Sequence, residues 1–80
     1  MIEQAEDVLR SLGFRHCRVR HHGEIARLEL DASDMRRAFD DDVRRAIVDA
    51  LKAIGFRYVS LDLQGYRTGS LNEALPLRRV

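Results

Sequence analysis

The chain has one cysteine, almost no net charge and no long apolar run, and each shortage closes off a class of protein. With Cys17 alone no internal disulfide can form, which fits a reducing, cytoplasmic setting. A net charge of +1 over 80 residues offers no bulk attraction to nucleic acid or to an anionic membrane. No stretch approaches the roughly 20 apolar residues of a transmembrane helix, and the opening Met1-Ile-Glu-Gln-Ala-Glu does not read as a signal peptide. What remains is 45% apolar and 34% charged, the balance of a single small globular domain of modest stability.

An internal repeat organises that domain. Ala5-Glu-Asp-Val-Leu-Arg-Ser-Leu-Gly-Phe-Arg15 aligns without gaps on Ile47-Val-Asp-Ala-Leu-Lys-Ala-Ile-Gly-Phe-Arg57, at an offset of 42. The register continues, with Cys17 opposite Val59 and Val19 opposite Leu61. Ile2, Ala5, Val8, Leu9 and Leu12 form one helical stripe, ended by Gly13; Val43, Ala46, Ile47, Ala50, Leu51 and Ile54 form another, ended by Gly55. Asp40-Asp41-Asp42 supplies an N-cap and negative charge at the start of the second helix. Ser33 or Asp34 caps a short helical turn that carries Met35, Ala38 and Phe39 inward. The repeated unit is thus helix, glycine stop, strand.

Alternation predicts three strands. Cys17 and Val19 face the core in Arg15–Arg20, Ala26, Leu28 and Leu30 in Glu24–Leu30, and Val59, Leu61 and Leu63 in Tyr58–Leu63. His21-His22-Gly23 reads as the tight connection of a hairpin. The predicted fold class is α+β, an α-β-β-α-β domain whose three-stranded mixed sheet carries the helices on one face. Arg18, Arg20, Arg27, Glu29, Ser60 and Asp62 fall on the other.

Candidate chemistry is thin. Cys17 sits on the apolar face, where a free thiol acts as a small hydrophobe rather than a nucleophile. His16, His21 and His22 are close in sequence but converge poorly from a strand and turn, so no metal site is assigned. The three consecutive aspartates lack the ligand spacing of a calcium loop and serve as a cap. Ser70 with Glu73 matches a capping box at the start of a further short helix. The suggestive group is cationic. Arg18, Arg20 and Arg27 share a sheet face and Arg67 lies on the following loop, an arrangement suited to phosphate or carboxylate. The plainer alternative is a solvated face on which Arg27 pairs with Glu29 and an arginine pairs with Asp62.

Four segments together resemble a known family. They are Leu9-Arg-Ser-Leu-Gly-Phe14, the run from Arg18 to Leu30, Gly55-Phe-Arg-Tyr-Val-Ser-Leu-Asp-Leu63, and Gly65-Tyr-Arg-Thr-Gly-Ser-Leu-Asn-Glu73. In this order they resemble the C-terminal domain of ATP-dependent sacrificial sulfur transferases of the LarE type, which make the nickel-pincer nucleotide of lactate racemase. The resemblance runs over roughly residues 4–75. It implies one domain over 1–75, with 76–80 a C-terminal tail.

Such enzymes bind ATP at a Ser-Gly-Gly-x-Asp-Ser loop, adenylate a pyridine-dicarboxylate mononucleotide and donate sulfur from one of their own cysteines. This chain has no such loop, and Cys17 is not the matching cysteine. The resemblance therefore implies an accessory domain, inactive alone and without catalytic residues. It contributes pocket residues and oligomer contacts, beside an ATP-pyrophosphatase subunit or domain that carries the ATP and any metal ion. It assigns Arg18 and Arg67 to phosphate and Glu6 to an acidic position in the pocket; the residues themselves add Thr68, Ser70 and the loop N–H groups before the helix, which would complete such an anion site. A second acidic residue expected within Met35–Asp40 has no clean match, because Arg36 and Arg37 occupy its neighbourhood. The alternative is a small α/β module for an anionic ligand or a protein partner.

Overall fold

The computed structural model describes residues 1–66. Helix α1 (Ile2–Ser11) leads to strand β1 (Cys17–His22), which turns back into β2 (Ile25–Leu30). A short helix α2 (Ala32–Met35) and a 3-10 turn (Arg36–Phe39) then lead to the long helix α3 (Asp41–Ile54) and to β3 (Tyr58–Leu61). The sheet order is β1-β2-β3, with β1 antiparallel and β3 parallel to β2. This is the α+β fold expected, a three-stranded mixed open sheet under its helices.

The repeat is visible in the way the two main helices end. Beyond α1, Gly13 N–H donates to the Arg10 carbonyl and Phe14 N–H to the Leu9 carbonyl; beyond α3, Gly55 donates to Lys52 and Phe56 to Leu51. Gly13 and Gly55 have φ of 98° and 134°, a conformation side chains resist, so each glycine lets the chain double back over its own last turn. That reversal drops Phe14 onto Leu9 and Phe56 onto Leu51, and all four are buried to within 2% of full burial. With Ala5, Val19, Ala26, Leu28, Leu30 and Ile47 they make the core. Cys17, Val59 and Leu61 pack against it half-buried, so the inward register of all three strands holds. At the other end of α3, the Asp40 carboxylate accepts from the backbone N–H groups of Asp42 and Val43 at 3.0 and 3.3 Å, the expected cap.

Four expectations are corrected. Leu63 is 78% exposed, because β3 stops at Leu61 and the Asp62 carboxylate accepts from Gln64 N–H at 2.9 Å, bending the chain into a turn. Phe39 is 62% exposed, since the segment before α3 is a tight 3-10 turn whose last side chain swings off the core. The short helix is capped not by Ser33 or Asp34 but by Asp31, two residues before Ser33, whose carboxylate accepts from Ser33 N–H at 3.4 Å. His21 and His22 are not turn residues: they pair with Ala26 and Ile25, and Gly23-Glu24 makes the turn, with Gly23 at φ 57°.

Candidate functional site

The outer face of the sheet carries three arginines against two carboxylates. Arg20 Nε lies 3.5 Å and Arg27 Nη2 3.1 Å from the same Glu29 oxygen, and Arg27 Nε lies 3.9 Å from Asp62. Arg27 Nε is fully buried and has no hydrogen bond among the described residues, so Asp62 meets it by charge alone. The plainer alternative thus holds for Arg20 and Arg27, whose N–H groups are turned to carboxylates.

Arg18 differs. It sits opposite Glu29 in the β1–β2 register, yet among the described residues no carboxylate lies within ion-pair distance of it. Its guanidinium carbon instead stands 5.6 Å from the centre of the Tyr66 ring, within cation–π reach. Stacking engages the flat face of a guanidinium, whereas an anion binds the N–H groups around its edge. The positive charge left over on this face is therefore that of Arg18, with its hydrogen-bonding edge unspent on a carboxylate.

Tyr66 reaches this place through a constrained turn. Gly65 N–H donates to the Asp62 carbonyl at 3.0 Å, and Tyr66 N–H donates to Leu30 at 2.8 Å. Gly65 is buried at φ 81°, and a Cβ there would meet the Leu30 carbonyl oxygen at 2.8 Å. Neither Tyr66 nor the Asp62 turn was singled out from sequence, although Asp62-Leu-Gln-Gly65 carries a turn signature. Arg67, Thr68 and Ser70 lie outside the described residues.

Glu6 has a different setting. Its carboxylate accepts from Val19 N–H at 3.0 Å and lies 3.5 Å from Arg10, with its side chain 15% exposed. It thus satisfies a backbone donor on the outer edge of β1. Arg37 closes the C-terminal end of α1, donating to the Leu12 and Gly13 carbonyls at 2.6 and 3.3 Å while its guanidinium lies 4.4 Å above the Phe14 ring. Among the described residues no three of His, Cys, Asp and Glu stand together as metal ligands. Cys17 is on the other side of the sheet. Its thiol donates to the Phe14 carbonyl at 3.5 Å, and burial pushes its pKa up, away from the thiolate. Among the described residues Cys17 is thus held as a thiol rather than activated as a nucleophile.

No family model matches the chain. A pyridinium-3,5-bisthiocarboxylic acid mononucleotide synthase of Lactiplantibacillus plantarum is 48% identical to it over 73 residues, covering 89% of this chain. This domain is homologous to one quarter of that synthase. An uncharacterized protein of Synechocystis is 38% identical over 74 residues, 92% of this chain and 28% of its own length. The chain thus spans about a quarter of the length of the curated relatives it matches. The homology to the synthase agrees with the sulfur-transferase resemblance read from the four sequence segments.

Proposed function

We propose that this domain is the substrate-pocket and assembly part of a sulfur transferase of the synthase type, inactive alone, with Arg18 binding the phosphate of a mononucleotide. The observation that carries the reading is the state of Arg18, within cation–π reach of Tyr66 and with no carboxylate partner among the described residues, beside two arginines that face carboxylates. Arg67, next in sequence to Tyr66, is the second phosphate ligand, with Thr68 and Ser70 supplying hydroxyls. Glu6 would supply the acidic group at the β1 edge of this pocket; its bond to the N–H of Val19, the residue after Arg18, supports that role. ATP, any metal ion and the sulfur-donating cysteine belong to a partner domain or subunit in the cytoplasm, and the chain alone binds neither ATP nor metal.

The test is a phosphate titration followed by NMR on the wild type, Arg18→Ala and Arg67→Ala. Weak binding in the wild type, reduced in both variants and weakened further by salt, is the expected result. Shift changes unaltered by Arg18→Ala would overturn the reading. Incubation with ATP should leave the mass of the chain unchanged; ATP-dependent loss of sulfur from Cys17 would show that the chain is an enzyme by itself. A second reading, a module for some other anion, uses the same Arg18. It is favoured if inorganic phosphate binds but a pyridine mononucleotide competes no better.

A further inference from the structure

The repeat places a helix, glycine stop and strand on each flank of β2, but the two sheet edges differ. β1 is antiparallel and β3 parallel to β2, so the two outer strands run in opposite directions on its flanks. On the β1 edge the outward N–H of Val19 is taken by Glu6. At the offset of 42, Val19 corresponds to Leu61 and Glu6 to Val48. Tyr58 and Asp62 donate to Glu24 and Leu28, so by alternation Val59 and Leu61 turn their N–H and C=O groups away from β2. Nothing among the described residues pairs with that edge. Where the carboxylate stands on one flank, the other has an apolar groove of about 320 Å³, lined by Ile47, Val48, Val59, Leu61 and Phe39, with Arg44 its single charged side chain.

The chemistry of this edge states what fits it. Unpaired backbone groups call for a strand, and the groove beside them for apolar side chains. Tyr58-Val-Ser-Leu61 bears no charge, so a copy of itself meets no repulsion, whereas Arg18 and Arg20 on β1 would repel a copy. Arg44 is already neutralised by Asp41 at 3.4 Å. Phe39, which lines the groove, is 62% exposed, and Tyr58, in the edge strand itself, is 57% exposed. We propose that β3 pairs antiparallel with β3 of a second copy, about a two-fold axis at Ser60. Val59 of each copy exchanges both backbone hydrogen bonds with Leu61 of the other, joining two sheets into one and bringing the grooves together beneath paired α3 helices. The inference rests on the assembly part of the proposed function and gives it a surface; it uses neither Arg18 nor a ligand, so its failure would leave the anion-site reading standing.

Sedimentation equilibrium over a wide concentration range tests it. Val48→Glu places a carboxylate where the repeat has one on the β1 flank, able to take the Leu61 N–H in the same way. The wild type should dimerise, and Val48→Glu should weaken the dimer about tenfold or more without altering the far-ultraviolet circular dichroism. Ser60→Lys is a second variant, at an exposed position where the copies would set like charges opposite each other. Hydrogen exchange on the wild type should show the Val59 and Leu61 amides slowing as concentration rises. A wild type that stays monomeric throughout, or a dimer that both variants leave intact, would overturn the proposal.

Discussion

Replacing Gly65 by alanine tests the turn that carries the chain from β3 to Tyr66, beside Arg18. The added methyl would stand 2.8 Å from the Leu30 carbonyl oxygen and 3.1 Å from Met35 Cε. The methionine end can move aside, but the carbonyl is backbone and already accepts from Tyr66 N–H. Holding alanine at φ 81° costs about 1–2 kcal/mol. Moving the carbonyl away loosens the Tyr66 hydrogen bond, at about 1 kcal/mol net. The sum is roughly 2–3 kcal/mol, against a total stability of roughly 4–12 kcal/mol for a chain of this length. With a urea slope of about 1 kcal/mol per molar, the denaturation midpoint should fall by about 2–3 M. Under the proposed function phosphate affinity should fall as well, because Tyr66 is shifted away from Arg18. A midpoint lowered by less than about 0.5 M would refute the argument, since a Cβ at that site would then have been accommodated without strain.

Three further outcomes are expected. Leu51→Ala, at a fully buried position beneath Phe56, should cost about 2–5 kcal/mol in the same urea assay. Glu6→Ala should speed hydrogen exchange at the Val19 amide more than at its β-ladder neighbours and destabilise the fold by about 1–3 kcal/mol, because a charge-assisted bond is lost. Cys17 should alkylate more slowly in the native state than in urea. Since burial raises its folded pKa, its contribution to stability is complete below the pKa of an unfolded thiol and is lost as pH climbs through the folded value, visible as a falling melting temperature in alkali.

Much of the architecture was legible because the chain states it twice. Matching Gly-Phe-Arg segments at Gly13 and Gly55 located both helix ends, and alternation located the inward side of each strand. The burial of Phe14 and Phe56 could have been read as well, since the residue after such a glycine commonly packs back onto the helix. Leu63 was misplaced because alternation extends a strand until something stops it, and the stop was the Asp62 side chain. Tyr66 beneath Arg18, Glu6 on the Val19 amide and Arg37 across the end of α1 are contacts between residues distant in sequence. No local periodicity carries them. For the candidate site, the family resemblance singled out Arg18, and the geometry supplied a physical reason: Arg20 and Arg27 face carboxylates and Arg18 does not.

The doubled helix end also works as a stabilisation guide written inside the molecule. Where the two copies differ, a position of one has been tried with a different residue in the other, against the same kind of glycine stop. Ser11 and Ala53 form such a pair. The Ser11 hydroxyl bends back to donate to the Val8 carbonyl at 2.6 Å, a habit that slightly weakens a helix, and its side chain is exposed. Borrowing alanine from the second copy should raise the stability of the first by a few tenths of a kcal/mol, up to about 0.5. Glu6 and Val48 are the opposite case, a pair whose difference sets the two edges of the sheet apart, and there the borrowing would change what the domain can join.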